Sequence, residues 1–508
     1  MTKTEISVVT VLSNVAMSDL RHCLKSTQAP GVEHILVLSG LPGLSSFVAV
    51  KLLAMKYKAT LKLNRRSLPS TEALNLGASI SHGSHLVFTQ PTDYLLPNWW
   101  KSITPALKRS DFIYSDSLLV DDLGAPLGQV LNPAWSPLRL ESEMFASHLM
   151  IIKKSVFDQI GGFKKEINVE TDQGLALRAS RVTELFEHIP LVIAARRAKD
   201  ERPKKETTKD PIKAVEASYL EVGTITPDGS NEPTPYPWAD STSQRGDSAS
   251  RLDAISIVIP TAFKSHQNGV LYIDSLLDTL IPFLDMDLGD QVVIVHGGEV
   301  QSALKAREAS KFNASIISVE DNSSFNFSRR CNIGFLNARN EYVLLLNDDL
   351  EFGSHNPLNI LLRLIKARNV GLVGGLLLFP DQTIQHAGHT FTDRNPHHLH
   401  YGKSLSTMTR IDLPSAHEVV GVTGALMFQS KAVWRAVGGF STTLPMNYND
   451  VDYCQKIRTL GYSVIQANSV VALHHGSATR NPSVNDSEKN ELRSRWPAAL
   501  SWDPYTRV

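Results

Sequence analysis

The two halves of this chain repeat each other. Ile6-Ser-Val-Val-Thr10 resembles Ile255-Ser-Ile-Val-Ile259, and both are β-branched runs that read as a first strand. Ile35-Leu-Val-Leu-Ser-Gly40 resembles Val292-Val-Ile-Val-His-Gly297, a second strand entering a glycine turn. Asn75-Leu-Gly-Ala78 continues to Leu86-Val-Phe-Thr-Gln90 as Asn332-Ile-Gly-Phe335 continues to Val343-Leu-Leu-Leu-Asn347. Ile160-Gly-Gly-Phe163 matches Val437-Gly-Gly-Phe440, and Asp172 then matches Asp450 with one residue deleted. The shared order of these matches argues for a tandem duplication. Whatever fold one half adopts, the other is expected to adopt as well.

Between the halves lies a different kind of sequence. Lys199–Lys213 is dense in both charge signs, Ile212–Glu221 has a short helical pattern, and Val222–Asp253 carries Pro227, Pro233, Pro235 and Pro237 among Ser, Asp, Gly and Thr. Such a stretch buries little apolar surface and reads as a linker. The expected organisation is a domain over 1–198, a linker over 199–253, a second domain over 254–480 and a tail over 481–508 packed on the second domain. The 508 residues suit that count at roughly 150 residues per domain. Hydrophobic residues at 42% and charged residues at 20% are ordinary for globular chains and argue against wholesale disorder or coiled coil. Lys+Arg and Asp+Glu are 51 each, so nothing general favours nucleic acid as a partner. Cys23, Cys331 and Cys454 are far apart and form no CxxC pair, which fits a reducing compartment. The first residues lack a signal-peptide core, and runs such as Val373–Phe379 fall far short of the roughly 18 residues a membrane span needs. The expectation is a soluble cytoplasmic protein without a membrane span, which leaves room for peripheral attachment at the inner membrane face.

Within each half, buried strands alternate with helix-length segments such as Val270–Leu284 and Pro357–Ala367. This alternation predicts an α/β fold, a mostly parallel sheet flanked by helices, with ligands beyond the carboxyl ends of the strands. Glu341–Leu346 runs straight into Asn347-Asp348-Asp349. Adjacent acids at such a place repel each other unless a cation or donor intervenes, and a hard divalent ion would also grip a diphosphate; a solvated loop with a helix cap is the plainer alternative. Asn449-Asp450-Val451-Asp452 opens a helical segment that stops at Gly461, so its acids serve either as caps or as a general base. Val470-Val-Ala-Leu ends in His474-His475, where an imidazole is available as a further metal ligand. A histidine-dense stretch, His386, His389, His397, His398 and His400, offers ligands for zinc, but no Cys and no orderly tetrahedral spacing support such a site. It reads instead as a flexible loop over an acceptor, or as a plain surface loop.

Taken in this order, the phrases of the second half resemble family 2 glycosyltransferases of the GT-A fold. They are Ile255-Ser-Ile-Val-Ile-Pro-Thr261, Asn326-Phe-Ser-Arg-Arg-Cys-Asn-Ile-Gly334, Leu346-Asn-Asp-Asp-Leu-Glu351, Ile384-Gln-His-Ala-Gly388, Val422-Thr-Gly-Ala425, Val437-Gly-Gly-Phe440, Tyr448-Asn-Asp-Val-Asp452 and His474-His-Gly-Ser477. The chain also resembles a subgroup with two such domains, several members of which build bacterial surface polysaccharides. The resemblance implies two tandem GT-A domains and an inverting, metal-dependent transfer of sugar from a UDP-, dTDP- or GDP-sugar to a glycan hydroxyl. It implies Asp450 as catalytic base, and Asp349 and His474 as ligands of Mn²⁺ or Mg²⁺. It further implies that Pro260, Thr261, Asn332, Asn347, Asp348, Gly424 and Ala425 contact the donor, with Asp452 and His475 as secondary candidates. A decayed glycan-binding scaffold and a nucleotidyltransferase are the competing readings.

Two features depart from the family pattern. His296-Gly297-Gly298 stands after the second strand where the family has acidic residues, and Asn347 takes the first position of the acidic motif. The first half departs further. It has Gln90-Pro91-Thr92 at the acidic motif, with Asp93 one step later, and Ala195-Arg196-Arg197 at the histidine, while Asp172 and Arg178 survive. It reads as a degenerate transferase domain that binds acceptor or is purely structural. A metal-independent transferase using Arg196 or Arg197 in place of the cation is the remaining alternative.

Overall fold

A computed structural model describes residues 4–12, 16–41, 43–121, 124–146, 149–164, 171–197, 251–297, 316–409, 412–476 and 486–506. Its contacts divide the chain into two compact units, Met1–Lys205 and Glu206–Thr506. Most of the expected linker, including its short helix, lies outside the described residues, as do 477–480 of the expected second domain and 481–485 and 507–508 of the expected tail.

The first unit has strands β1 (Ile6–Leu12), β2 (Val32–Ser39), β3 (Thr60–Asn64), β4 (His85–Thr89), β5 (Tyr94–Leu95), β6 (Phe112–Val120), β7 (Pro126–Val130), β8 (Ile151–Lys153) and β9 (Phe186–Arg197). The second has β10 (Ile255–Pro260), β11 (Gln291–His296), β12 (Ile316–Glu320), β13 (Tyr342–Leu346), β14 (Leu350–Phe352), β15 (Val370–Leu378), β16 (Ile384–His386), β17 (His389–Thr392), β18 (Asn395–His398), β19 (His417–Val419), β20 (Leu426–Ser430) and β21 (Ser463–His474).

The sheet orders are β3-β2-β1-β4-β8-β6-β9-β5 and β12-β11-β10-β13-β20-β15-β21-β14. Position by position these are the same path. The parallel core pairs match, β1 on β2 and β4 against β10 on β11 and β13. So do the antiparallel insertions, β8 against β4 and β20 against β13. Both units are thus mixed, mostly parallel sheets flanked by helices, and the repeat read from the sequence is a repeat of topology.

Local sequence explains the elements. All six residues of β10 are buried, as a strand covered on both faces requires. The helix Tyr272–Leu280 buries Ile273, Leu276, Leu277 and Leu280, one stripe at helical spacing. It gives way to a 3-10 turn at Ile281–Phe283, where Pro282 has no N–H to continue it. The helix Pro357–Ile365 starts with proline and is capped by Asn356, whose side chain accepts the Leu358 N–H at 2.9 Å.

Two glycines show why the Asn-x-Gly phrase recurs. A Cβ on Gly334 would lie 2.1 Å from Val258 Cγ1, and one on Gly77 would lie 2.3 Å from Val9 Cγ1. In each unit a helix thus crosses the central strand with no room for a methyl group. The preceding asparagine clamps the Gly-Gly-Phe turn. Asn332 donates to the Phe440 carbonyl and accepts the Phe440 N–H, both at 2.9 Å. Asn75 does the same with Phe163, again at 2.9 Å in both directions. Lys456 donates to the Gly439 carbonyl at 3.0 Å, and Arg178 to the Gly162 carbonyl at 2.6 Å.

The histidine-dense stretch is not a plain surface loop. β16 pairs with the end of β15 in the large sheet, and β17 and β18 form a hairpin of their own. His386 and His389 are buried. Alternation along short strands turns these residues inward, a pattern hidden by the turn residues between them.

Candidate active site

The site is built at the carboxyl ends of β10 and β13. Pro260 closes β10, and Thr261 N–H donates to the Val295 carbonyl at 2.9 Å, extending the pairing by one residue. The Thr261 hydroxyl donates to Asp348 Oδ2 at 2.6 Å. Asp348 is buried, and burial pushes its carboxyl up to about 6; the Thr261 hydroxyl opposes that rise and the neighbouring Asp349 charge adds to it. Arg330 donates to the Thr261 carbonyl at 2.9 Å and pairs with buried Asp321 at 3.4 Å, while Arg329 reaches the same carboxylate at 3.0 Å. Burial alone would raise Asp321, but the two arginines and the Ser323 N–H hold it below the usual carboxylate range. Asp321 and Arg330 brace the first strand end, and sequence reasoning gave them no role. The adjacent arginines of the Asn326 phrase were the available signal.

Beside Asp348, Asp349 is buried and its Oδ1 lies 3.0 Å from His474 Nε2. The pairing of β14 with β21, Leu350 opposite His474, brings them together. Gln385 orients the imidazole. Its amide nitrogen faces the His474 carbonyl at 3.4 Å, so its oxygen faces Nδ1, which must carry the proton. Nε2 then turns a lone pair toward a carboxylate. That contact calls for a cation, either a second ring proton or a metal ion shared by ring and acid. Asn347 Nδ2 lies 3.4 Å from the same Nε2, and Asn347 Oδ1 is buried without a hydrogen-bond partner. Asp349 Oδ1 and His474 Nε2 thus offer one oxygen and one imidazole nitrogen to a divalent ion with mixed oxygen and nitrogen preference.

The second part of the site is the first turn of the helix Asn449–Thr459. Tyr448 enters it at φ +59°, a left-handed conformation uncommon for a bulky residue. Asp450 Oδ2 accepts the Gly424 N–H at 3.0 Å and Oδ1 accepts the Val451 N–H at 2.8 Å. The loop carrying Gly424 is sewn to the same helix by Gln455, which donates to the Val420 carbonyl at 2.9 Å. Gly424-Ala425 also joins the two parts, because Asn347 N–H donates to the Ala425 carbonyl at 2.9 Å. Asn347 and Asp450, about 100 positions apart in sequence, are therefore neighbours of one dipeptide.

The remaining expected residues are placed differently. Asp452 is fully buried in a network: Ser441 donates at 2.6 Å, Trp496 at 2.9 Å and Arg495 at 3.2 Å, with Lys456 at 3.3 Å. Burial works to raise its pKa, but these donors hold it below the usual carboxylate value. It fastens the C-terminal helix Asp486–Arg495 rather than facing the Gly424 loop. Asn332 is occupied by the Phe440 turn. His475 faces Glu351 at 2.9 Å.

Among the histidines, His386 Nε2 accepts the Thr423 N–H at 3.1 Å, so its proton sits on Nδ1 and is donated to His398 Nδ1 at 2.7 Å. That chain occupies both ring nitrogens of His386, whereas the two ring nitrogens of buried His389, the third member of a group whose ligand atoms lie within 4.8 Å of one another, have no hydrogen-bond partner. His389 Nε2 lies 3.8 Å from Asp450 Oδ2.

In the first unit, Tyr94 of β5 pairs with Ala195 as Leu350 pairs with His474. Asp93 thus immediately precedes its strand as Asp349 does, after a loop one residue longer, and alanine replaces the histidine. Burial lowers the Arg196 guanidinium pKa, and the Asp93 charge opposes that shift. Arg197 makes a two-pronged pair with Asp19 at 3.1 Å.

No protein-family model matches the chain. It is 24% identical over 505 residues to the O-antigen biosynthesis protein RfbC of Myxococcus xanthus, covering 94% of this chain and 38% of that one. It is also 24% identical over 431 residues to the uncharacterized protein y4gI of Sinorhizobium fredii, covering 81% of this chain and 46% of that one. The chain therefore spans less than half the length of either relative. Solved structures it matches include the mannosyltransferase PcManGT of Pyrobaculum calidifontis in complex with GDP-Man and Mn²⁺, at 15% identity and a TM-score of 0.34 over 57% of this chain and 79% of that one. TarS 1-349 of S. aureus matches at 15% identity and a TM-score of 0.33 over 38% and 60%. No helix among the described residues is long and apolar enough to cross a membrane.

Proposed function

We propose that the chain is a glycosyltransferase that moves a sugar from a nucleoside-diphosphate sugar to a glycan hydroxyl, and that the second unit carries the reaction. The observation that carries this reading is the meeting of Asn347, Asp349 and His474 with Asp450 across Gly424-Ala425. A divalent ion held by Asp349 and His474 would neutralise the diphosphate leaving group. The imidazole nitrogen in that set favours Mn²⁺ over Mg²⁺.

The other steps belong to the chain's own groups. Thr261 and Asp348 bind the donor at the end of β10, with Arg330 and Asp321 keeping that strand end in place. Asp450 takes the proton of the attacking hydroxyl, and the Gly424 N–H holds its carboxylate in position. One base opposite the leaving group gives in-line attack and inversion at the anomeric carbon. A surface polysaccharide acceptor is supported by the relation to an O-antigen biosynthesis protein. The first unit, with Ala195 opposite Tyr94 where the second has His474 opposite Leu350, serves acceptor binding or structure rather than transfer.

Incubation with Mn²⁺ and a panel of sugar nucleotides tests the reading. Release of nucleoside diphosphate supports it, release of pyrophosphate means nucleotidyl transfer, and silence combined with glycan binding means a decayed scaffold. Asp349→Ala should abolish the metal-dependent part of nucleotide binding, seen as the loss of a Mn²⁺-dependent rise in melting temperature. Metal dependence that survived Asp349→Ala and vanished in Asp93→Ala would move the site to the first unit.

A further inference from the structure

A second group of ligand-type side chains lies on the same edge of the second unit. His266 follows β10, Glu351 lies in β14, and His475 follows β21. One ligand atom from each falls within 4.8 Å of the other two. Both imidazoles turn Nε2 toward the same carboxylate oxygen, His475 at 2.9 Å and His266 at 4.0 Å, and His266 Nε2 also lies 3.3 Å from the Ser275 hydroxyl. Their rings meet edge to face at 4.7 Å, and Tyr272 walls the His266 ring at 3.9 Å. All three side chains are half-buried, so the group is shielded yet open on one side.

We propose that His266, Glu351 and His475 bind one zinc-class divalent ion, at a site distinct from the Asn347, Asp349 and His474 group. Two imidazoles and one carboxylate are a common zinc donor set, and three protein ligands leave a position for water or a ligand oxygen. With metal–ligand bonds of about 2.0–2.2 Å, tetrahedral ligands stand about 3.4 Å apart. The observed separations of 2.9 and 4.0 Å bracket that value, so side-chain shifts of about half an ångström would close the site. Two constraints fix the group. The pairing of Glu351 with Leu473 sets the carboxylate against the end of β21, and the His475 N–H donates to the Asp349 carbonyl at 3.0 Å. The group of His386, His389 and His398 is the weaker zinc candidate because the Thr423 N–H and the His398 ring already engage both ring nitrogens of His386.

The experiment uses the full chain carrying Asp349→Ala, stripped with a chelator and titrated with Zn²⁺. The site predicts one zinc retained per chain through gel filtration and a melting temperature that rises with zinc and falls back with chelator. X-ray absorption should show two imidazoles with oxygen ligands. Adding His266→Ala or Glu351→Gln should remove the retained zinc; if one of these variants fails to fold, the other decides. No retained zinc in the Asp349→Ala chain, three imidazoles in the spectrum, or zinc kept by both double variants would overturn the proposal. Zinc uptake is read without sugar transfer, so its failure and that of the transferase reading are separate results.

Discussion

Asp450 and Asp452 stand two positions apart in one helical turn and meet opposite surroundings. Asp450 is half-buried and holds a loop N–H, whereas Asp452 is fully buried among Ser441, Trp496, Arg495 and Lys456. The sequence ranks Asp450 above Asp452, but it hides the partners of Asp452, which lie as far as 44 residues away. Gln385 is illegible for the same reason, since it acts on His474 from 89 residues off. Because the folded-state pKa of Asp452 is depressed, its contribution to stability is present above the unfolded carboxylate pKa and is lost as pH falls through the folded value. Asp452→Asn should therefore cost about 1–3 kcal/mol at neutral pH. It should also flatten the loss of stability below about pH 4. Urea unfolding across pH checks both; an unchanged acid limb would contradict the role given to this network.

At the scale of elements, the recurring phrases are legible as a repeat, while their physical cause is not. Asn332 holds Phe440 across 108 residues, and Gly334 exists to let its helix touch Val258. Nothing in either phrase announces the other half of the contact. The histidine stretch fails differently: its short strands contain too few residues for a period of two to stand out, and Asp393-Arg394, both at positive φ, make it look like a loop. Gly334→Ala should destabilise the second unit by about 1–3 kcal/mol, the usual range for overpacking. Gly402→Ala is a useful contrast, since a Cβ there meets nothing within 4 Å and the cost is the backbone strain of φ +72° alone. Chemical denaturation of the two variants separates these causes; equal small losses would mean that the helix moves off the strand at little cost.

Across the whole chain, one topology is used twice and only one copy keeps the full set of chemical groups. The α/β class, the tandem arrangement and the strand ends were legible because buried parallel strands leave unbroken apolar runs. The one-residue difference before β5 was not, because strand pairing rather than sequence alignment sets which residue stands before the edge strand. Asp172 and Asp450 hold matching places in the repeat, so a matched pair of substitutions tests which copy works. Both Asp172→Asn and Asp450→Asn keep size and helix-start preference, so the full chain should stay folded and retain Mn²⁺-dependent nucleotide affinity. Sugar transfer by the two variants, measured side by side with wild type, is the decisive number. Asp450→Asn should lower turnover by roughly 10²–10⁴-fold, the usual contribution of a general base, while Asp172→Asn leaves it nearly unchanged. Near wild-type transfer by Asp450→Asn, together with a loss of about a hundredfold in Asp172→Asn, would place the chemistry in the first unit and contradict the account.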